Sequence, residues 1–90
     1  PRLSRQLVSE AQRRVLVALC RPFAPGERAL PATNQAIADE LHLSVSAVKA
    51  HLRTLFGLFA LGRVPQNEKR VQLAAAALRA GVVAPRDLDR

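Results

Sequence analysis

Apolar positions along the chain fall into four runs with helical spacing, separated by stretches rich in proline, glycine or short polar residues. In the first, Leu7 to Cys20, the side chains of Ala11, Val15, Leu16 and Leu19 define one stripe for burial. Ser9 followed three residues later by Gln12 is a capping-box pattern, in which each side chain takes up the other's free backbone N–H. A first helix is therefore expected over about 9–20. The next segment, RPFAPGERALPA from Arg21 to Ala32, holds three prolines and a glycine and reads as a long loop. Phe23 and Leu30 are the residues expected to pin it to the core.

Thr33 is placed to cap a second helix, 34–41, with Ile37, Ala38 and Leu41 facing inward. Ser44 is placed to cap a third, about 45–59, with Val48, Leu52, Leu55 and Phe59 on one stripe. The hinge Leu41-His42-Leu43-Ser44 is too short for the two helices to run on as one rod, which makes the pair a helix-turn-helix. A turn region with Gly62 and Pro65 leads to a fourth helix, about 67–80, with Asn67 as its expected cap and Gly81 closing it. Two apolar faces are legible on that helix: Val71, Ala74 and Leu78 on one, Leu73, Ala77 and Ala80 on the other. One small core does not need both, so Leu73, Ala77 and Ala80 are expected to meet a second subunit. The tail APRDLDR is expected to fray.

The fold class that follows is all-α: one four-helix, helix-turn-helix domain spanning 1–90, of winged-helix-like type and without substantial sheet. Ninety residues leave no room for a second domain. The absence of Met and the start at Pro1 lead to the expectation of a fragment cut from a longer protein, with a signalling domain elsewhere in the same chain. A chain 49% hydrophobic but only 3% aromatic builds its core from Leu, Val, Ile and Ala. Cys20 is the only cysteine, so an internal disulfide and a thiolate zinc cluster are both excluded, and its place in VLVALC reads as a small buried hydrophobe. No apolar run approaches membrane-spanning length and no signal-peptide pattern opens the chain, so a cytoplasmic protein without membrane contact is expected.

Fourteen Lys and Arg against seven Asp and Glu give a formal charge of +7, a balance suited to a polyanionic partner. Arg greatly outnumbers Lys and Ala is abundant, which a GC-rich coding sequence yields whatever the function, so charge alone decides little. Catalytic constellations are missing: His42 and His51 have no carboxylate at ligand spacing, Asp39 and Glu40 are adjacent and diverge on a helix, and Ser44 and Ser46 have no partners for nucleophilic work. A non-enzyme with no cofactor and no metal is expected.

The third helix carries more information. Val48, Leu52 and Leu55 turn inward, while Ser46, Lys49, Ala50 and Arg53 lie together on the other side. Two long cations flanked by small residues let a helix backbone approach a major groove closely. Lys49 and Arg53 could then reach guanine acceptors, and Ala50 a thymine methyl. The alternative is that these cations are only the solvated side of an amphipathic helix.

The stretch TNQAIADELHLSVSAVKAHLRTLFGLFAL resembles the helix-turn-helix of the LuxR/GerE family of bacterial transcription regulators. The positions that carry the likeness are Asn34, Gln35, Ile37, Ala38, Leu41, Ser44, Val48, Lys49, His51 and Leu52, with a looser match from helix 1 to LRAGVV. The resemblance implies a DNA-binding domain of LuxR C-terminal type, with Lys49, Ala50 and Arg53 facing bases of double-stranded DNA. Thr33, Asn34, Gln35, Ser44, Ser46, His51 and Thr54 would lie near phosphates and set the register. It also implies a homodimer on DNA through the fourth helix. The chain departs from the family pattern at His42, where Gly is usual, at Ala36 and Ala47, where polar residues are usual, and in its longer loop 21–32.

A narrower resemblance links AQRRVLVALCRP, LSVSAVKAHLRTLF and PQNEKR to C-terminal segments of actinobacterial proteins with a forkhead-associated, phosphopeptide-binding domain upstream. It implies a second reading: a helix-turn-helix turned to protein interaction, attached to a phosphopeptide-binding signalling protein. The spread of Arg13, Arg14, Arg21, Arg28, Arg63, Arg70 and Arg79 away from the third helix keeps that reading open.

Overall fold

Capping side chains set where the helices begin in the computed structural model, which describes residues 8–22 and 30–88. Helix α1, Glu10–Cys20, starts at a complete capping box: Gln12 N donates to Ser9 Oγ at 3.1 Å and Ser9 N donates to Gln12 Oε1 at 2.9 Å. Thr33 opens α2, Asn34–Leu41, by accepting from Ala36 N, and Ser44 opens α3, Val45–Leu58, by accepting from Ala47 N. Helix α4, Gln66–Arg79, begins differently. Asn67 does not cap it; Pro65, two residues earlier, holds the cap position with an extended ψ of 144° and no side-chain hydrogen bond.

The ends of α2, α3 and α4 are closed by reversed backbone, whereas α1 ends at Arg21 in right-handed conformation. At the end of α4, Gly81 takes φ 77°, Val82 N donates to Ala77 O at 3.1 Å, and Gly81 N donates to Leu78 O at 3.2 Å. That pair of bonds is a Schellman motif, and glycine is the residue that adopts it without strain. The same geometry closes α3, with Ala60 at φ 56° and Leu61 N donating to Phe56 O at 2.8 Å.

Helix α1 lies against the other three helices and holds the centre of the core. Val15, Leu16 and Leu19 from α1, Ile37 from α2, Val48 and Leu55 from α3, Leu73 from α4, and Val82 and Val83 beyond it are fully enclosed. Ala18, Ala38, Ala74 and Ala77 are buried among them and let the helices approach closely. Among the described residues there is no strand, and the domain is all-helical.

Three expectations are corrected here. Leu73 and Ala77, assigned to a dimer face, have no exposed surface, while Ala80 is exposed. The two apolar faces of α4 merge into one stripe, Leu73, Ala74 and Ala77, which a single core accommodates. Leu30 does not pin the loop: it is 79% exposed, and the connection is instead fastened at Ala32, whose N–H donates to Leu19 O at 3.1 Å. Phe23 and Arg28 lie outside the described residues. The tail does not fray over 85–88, where Pro85–Leu88 forms a 3-10 turn. Asp87 holds it, pairing with Arg13 at 2.8 Å and accepting from Ala84 N, and Arg21 Nη1 donates to Leu88 O at 3.1 Å.

Candidate nucleic-acid interface

The turn between α2 and α3 is built around His42, whose backbone sits at φ 58°, ψ 44°. The N–H groups of His42 and Leu43 both return to the Ala38 carbonyl, which ends α2 and frees Ser44 to start the next helix. His, unlike a β-branched residue, tolerates this left-handed conformation at modest cost. Thr33 and Ser44 are exposed, and their hydroxyl oxygens accept the capping bonds. Each hydroxyl proton is left to donate outward.

Helix α3 divides by angle as its sequence implies. Val48, Leu52 and Leu55 are buried, and Ser46, Lys49, Ala50, Arg53 and Thr54 are exposed, with His51 half-buried at the boundary. Thr54 Oγ1 donates back to Ala50 O at 3.3 Å, so its proton is turned into the helix. Gln35 Nε2 donates to Asp39 along the surface of α2.

Lys49 and Arg53 also line a groove of about 390 Å³ that runs between α3 and α4. Leu52 and Phe56 are its apolar lining, and Asn34, Gln66, Lys69 and Arg70 complete it. Lys69 is held over the Phe56 ring, its Nζ 5.6 Å from the centroid, a favourable cation–π placement. Arg70 reaches across to α2, donating to Asn34 Oδ1 and to the Ala32 carbonyl. Burial lowers the pKa of this guanidinium from its ordinary value, and its hydrogen-bond acceptors are neutral.

The ion-paired carboxylates lie elsewhere. Among the described residues the ion pairs are Arg13–Asp87 at 2.8 Å, Arg21–Glu40 at 2.7 Å and Arg14–Glu10 at 3.7 Å. All three use arginines of α1 or of the residue that ends it, and none touches the groove. Glu40 meets Arg21 through both carboxylate oxygens, whereas the exposed Arg14–Glu10 pair contributes little. The cations that line the groove between α3 and α4 make no ion pair among the described residues, and Glu68, in the first turn of α4, lies outside the lining.

Of the expected site residues, Lys49, Arg53 and Asn34 come together in the groove. Ala50, Ser46, Thr33, Gln35, Ser44 and Thr54 are exposed outside it, and His51 is half-buried outside it. Sequence reasoning missed Phe56, Gln66, Lys69 and Arg70. The signal available was the adjacent cations Lys69 and Arg70 in the opening turns of α4. Cys20 is enclosed, its thiol near Ala74 O at 3.7 Å, and desolvation pushes its pKa up to about 12. Among the described residues no group of three or more His, Cys, Asp or Glu is placed to hold a metal ion, and no helix is long and apolar enough to cross a membrane. Compared with protein-family models, with curated proteins and with solved structures, the chain matches none.

Proposed function

We propose that the domain binds double-stranded DNA in a transcription regulator of the bacterial cytoplasm, with α3 in the major groove as in the LuxR/GerE proteins that its sequence resembles. The observation that carries this reading is the outer face of α3. Lys49 and Arg53 stand exposed one turn apart, outside every ion pair of the described residues, with the small, exposed Ser46 and Ala50 on the same face and the groove along its other edge. Long cations reach guanine acceptors from such a face, and the small residues let the helix axis come close. Ser44 and Thr33, capped inward and free to donate outward, suit phosphate contacts that fix register.

The reading includes pairing of two copies on a roughly palindromic site. Leu73 and Ala77 are enclosed, so that contact falls to the neighbouring edge of α4, where Val71 is 39% exposed and Ala75 and Leu78 are half-buried.

Selection of bound sequences from a random duplex pool, run on the wild type and on a Lys49→Ala/Arg53→Ala variant in parallel, tests the proposal. The wild type should enrich one sequence and lose affinity steeply as salt rises, and the variant should lose the enrichment. Enrichment that survives the double replacement would defeat the reading. Salt-insensitive association with a protein partner, and none with duplex, would favour the protein-interaction alternative.

A further inference from the structure

We infer that the groove between α3 and α4 seats a sugar-phosphate unit of the bound strand, making the start of α4 a second DNA-contacting element. This deepens the proposed function and rests on it.

The groove collects Lys49, Arg53, Lys69 and Arg70, and no carboxylate lines it. Like charges gathered in this way repel one another until an anion neutralises them. Arg70 is the most exposed to that cost. Its guanidinium is half-buried, meets only neutral acceptors, and lies at the start of α2, the positive end of the helix dipole.

Two helix N-termini converge on this place. Asn34 is the first residue of α2 and Gln66 the first of α4, and both line the groove. Helix α4 begins at Pro65 with no side-chain cap; the Glu68 N–H returns to the Pro65 carbonyl, so the N–H groups of Gln66 and Asn67 are the ones left for an anion, with the Glu68 side chain outside the groove lining. Leu52 and Phe56 provide an apolar surface of the kind a deoxyribose ring covers, and Lys69, held over Phe56, stands beside it. A volume of about 390 Å³ exceeds what a lone phosphate needs and admits the adjoining sugar. Lys49 and Arg53 link the groove to the reading face, so a strand lying in it is positioned for α3 to reach the bases.

The test is binding of the selected duplex and of a random duplex across a salt series, with Lys69→Ala, Gln66→Ala, their double variant and Lys69→Arg. Lys69→Ala should weaken both duplexes alike, by roughly three- to tenfold, and flatten the log–log salt slope by about 1. Lys69→Arg should restore affinity. Arg70 is spared because it also ties two helices together. If the wild type binds duplex but the double variant keeps its affinity and slope, the groove assignment falls and the major-groove reading stands. A loss confined to one base pair of the site would overturn it too, since a phosphate contact carries no sequence preference. A wild type that binds no duplex overturns both.

Discussion

The Arg70 guanidinium donates to the Asn34 side-chain oxygen, tying the second turn of α4 to the first residue of α2 across 36 residues of sequence. The same guanidinium reaches the Ala32 carbonyl. Asn34→Ala leaves one arm of a partly desolvated cation without its acceptor, and a hydrogen bond to a charged group is typically worth about 1.5–3 kcal/mol. Solvent access at this half-buried position reduces that, so urea unfolding should show a loss of about 1–2 kcal/mol. Arg70→Lys should lose a comparable amount, because an ammonium cannot span two acceptors as a planar fork does. Full stability in both variants would mean that the tie contributes nothing.

His42 and Ala60 both hold positive φ, at 58° and 56°, where a β-carbon is strained. Left-handed backbone costs an L-residue roughly 1–2 kcal/mol, part of which a glycine returns through its freer unfolded chain. His42→Gly and Ala60→Gly should each stabilise the domain by about 0.5–1 kcal/mol. The control is Ala76→Gly, inside α4, which should destabilise by a similar amount. Destabilisation at either positive-φ position would show that the lost side chain matters more than the strain.

Features legible in the sequence are those whose causes lie within a few residues of one another. Ser9 with Gln12, Thr33 with Ala36, and Ser44 with Ala47 are each three residues apart, and all three starts are where the pattern places them. The buried stripe of α3 was readable because Val48, Leu52 and Leu55 alternate with polar neighbours. Helix α4 offered no such contrast: with alanine on every side from Ala74 to Ala77, periodicity could not say which face turns inward, and the start at Pro65 was missed in favour of Asn67. The tail was misread because its anchors are distant, Arg21 meeting Leu88 across 67 residues. The groove also depends on packing between separate helices, since nothing local brings Lys69 and Arg70 beside Lys49 and Arg53.

Cys20 is enclosed in the core, and its thiol pKa is raised by burial from 9.0 to about 12. A group held protonated by folding contributes stability that is complete below the unfolded pKa and is lost as pH rises toward the folded one. Stability should therefore decline between pH 9 and about 12, by at most about 1.4 kcal/mol per pH unit from this group. Cys20→Ala should remove that part of the decline. In the native domain at neutral pH, the thiol should react with an alkylating reagent only as fast as the chain opens. Rapid labelling under native conditions would place the thiol at the surface.

Leu73 separates a core role from an interface role. Its side chain is fully enclosed beside Ala74 and Ala77, so Leu73→Ala empties space within one copy of the chain. Replacements of this kind in packed cores cost about 2–5 kcal/mol. For a domain of this size that is a large share of the whole, since stability per residue is roughly 0.05–0.15 kcal/mol. Leu73→Asp should accordingly unfold the domain at every concentration, as read by loss of far-ultraviolet helix signal. Val71→Glu, on the exposed edge of the same helix, should leave the fold intact and reduce only self-association. If Leu73→Asp instead yields a folded monomer from a wild-type dimer, the side chain faces a partner and not the core.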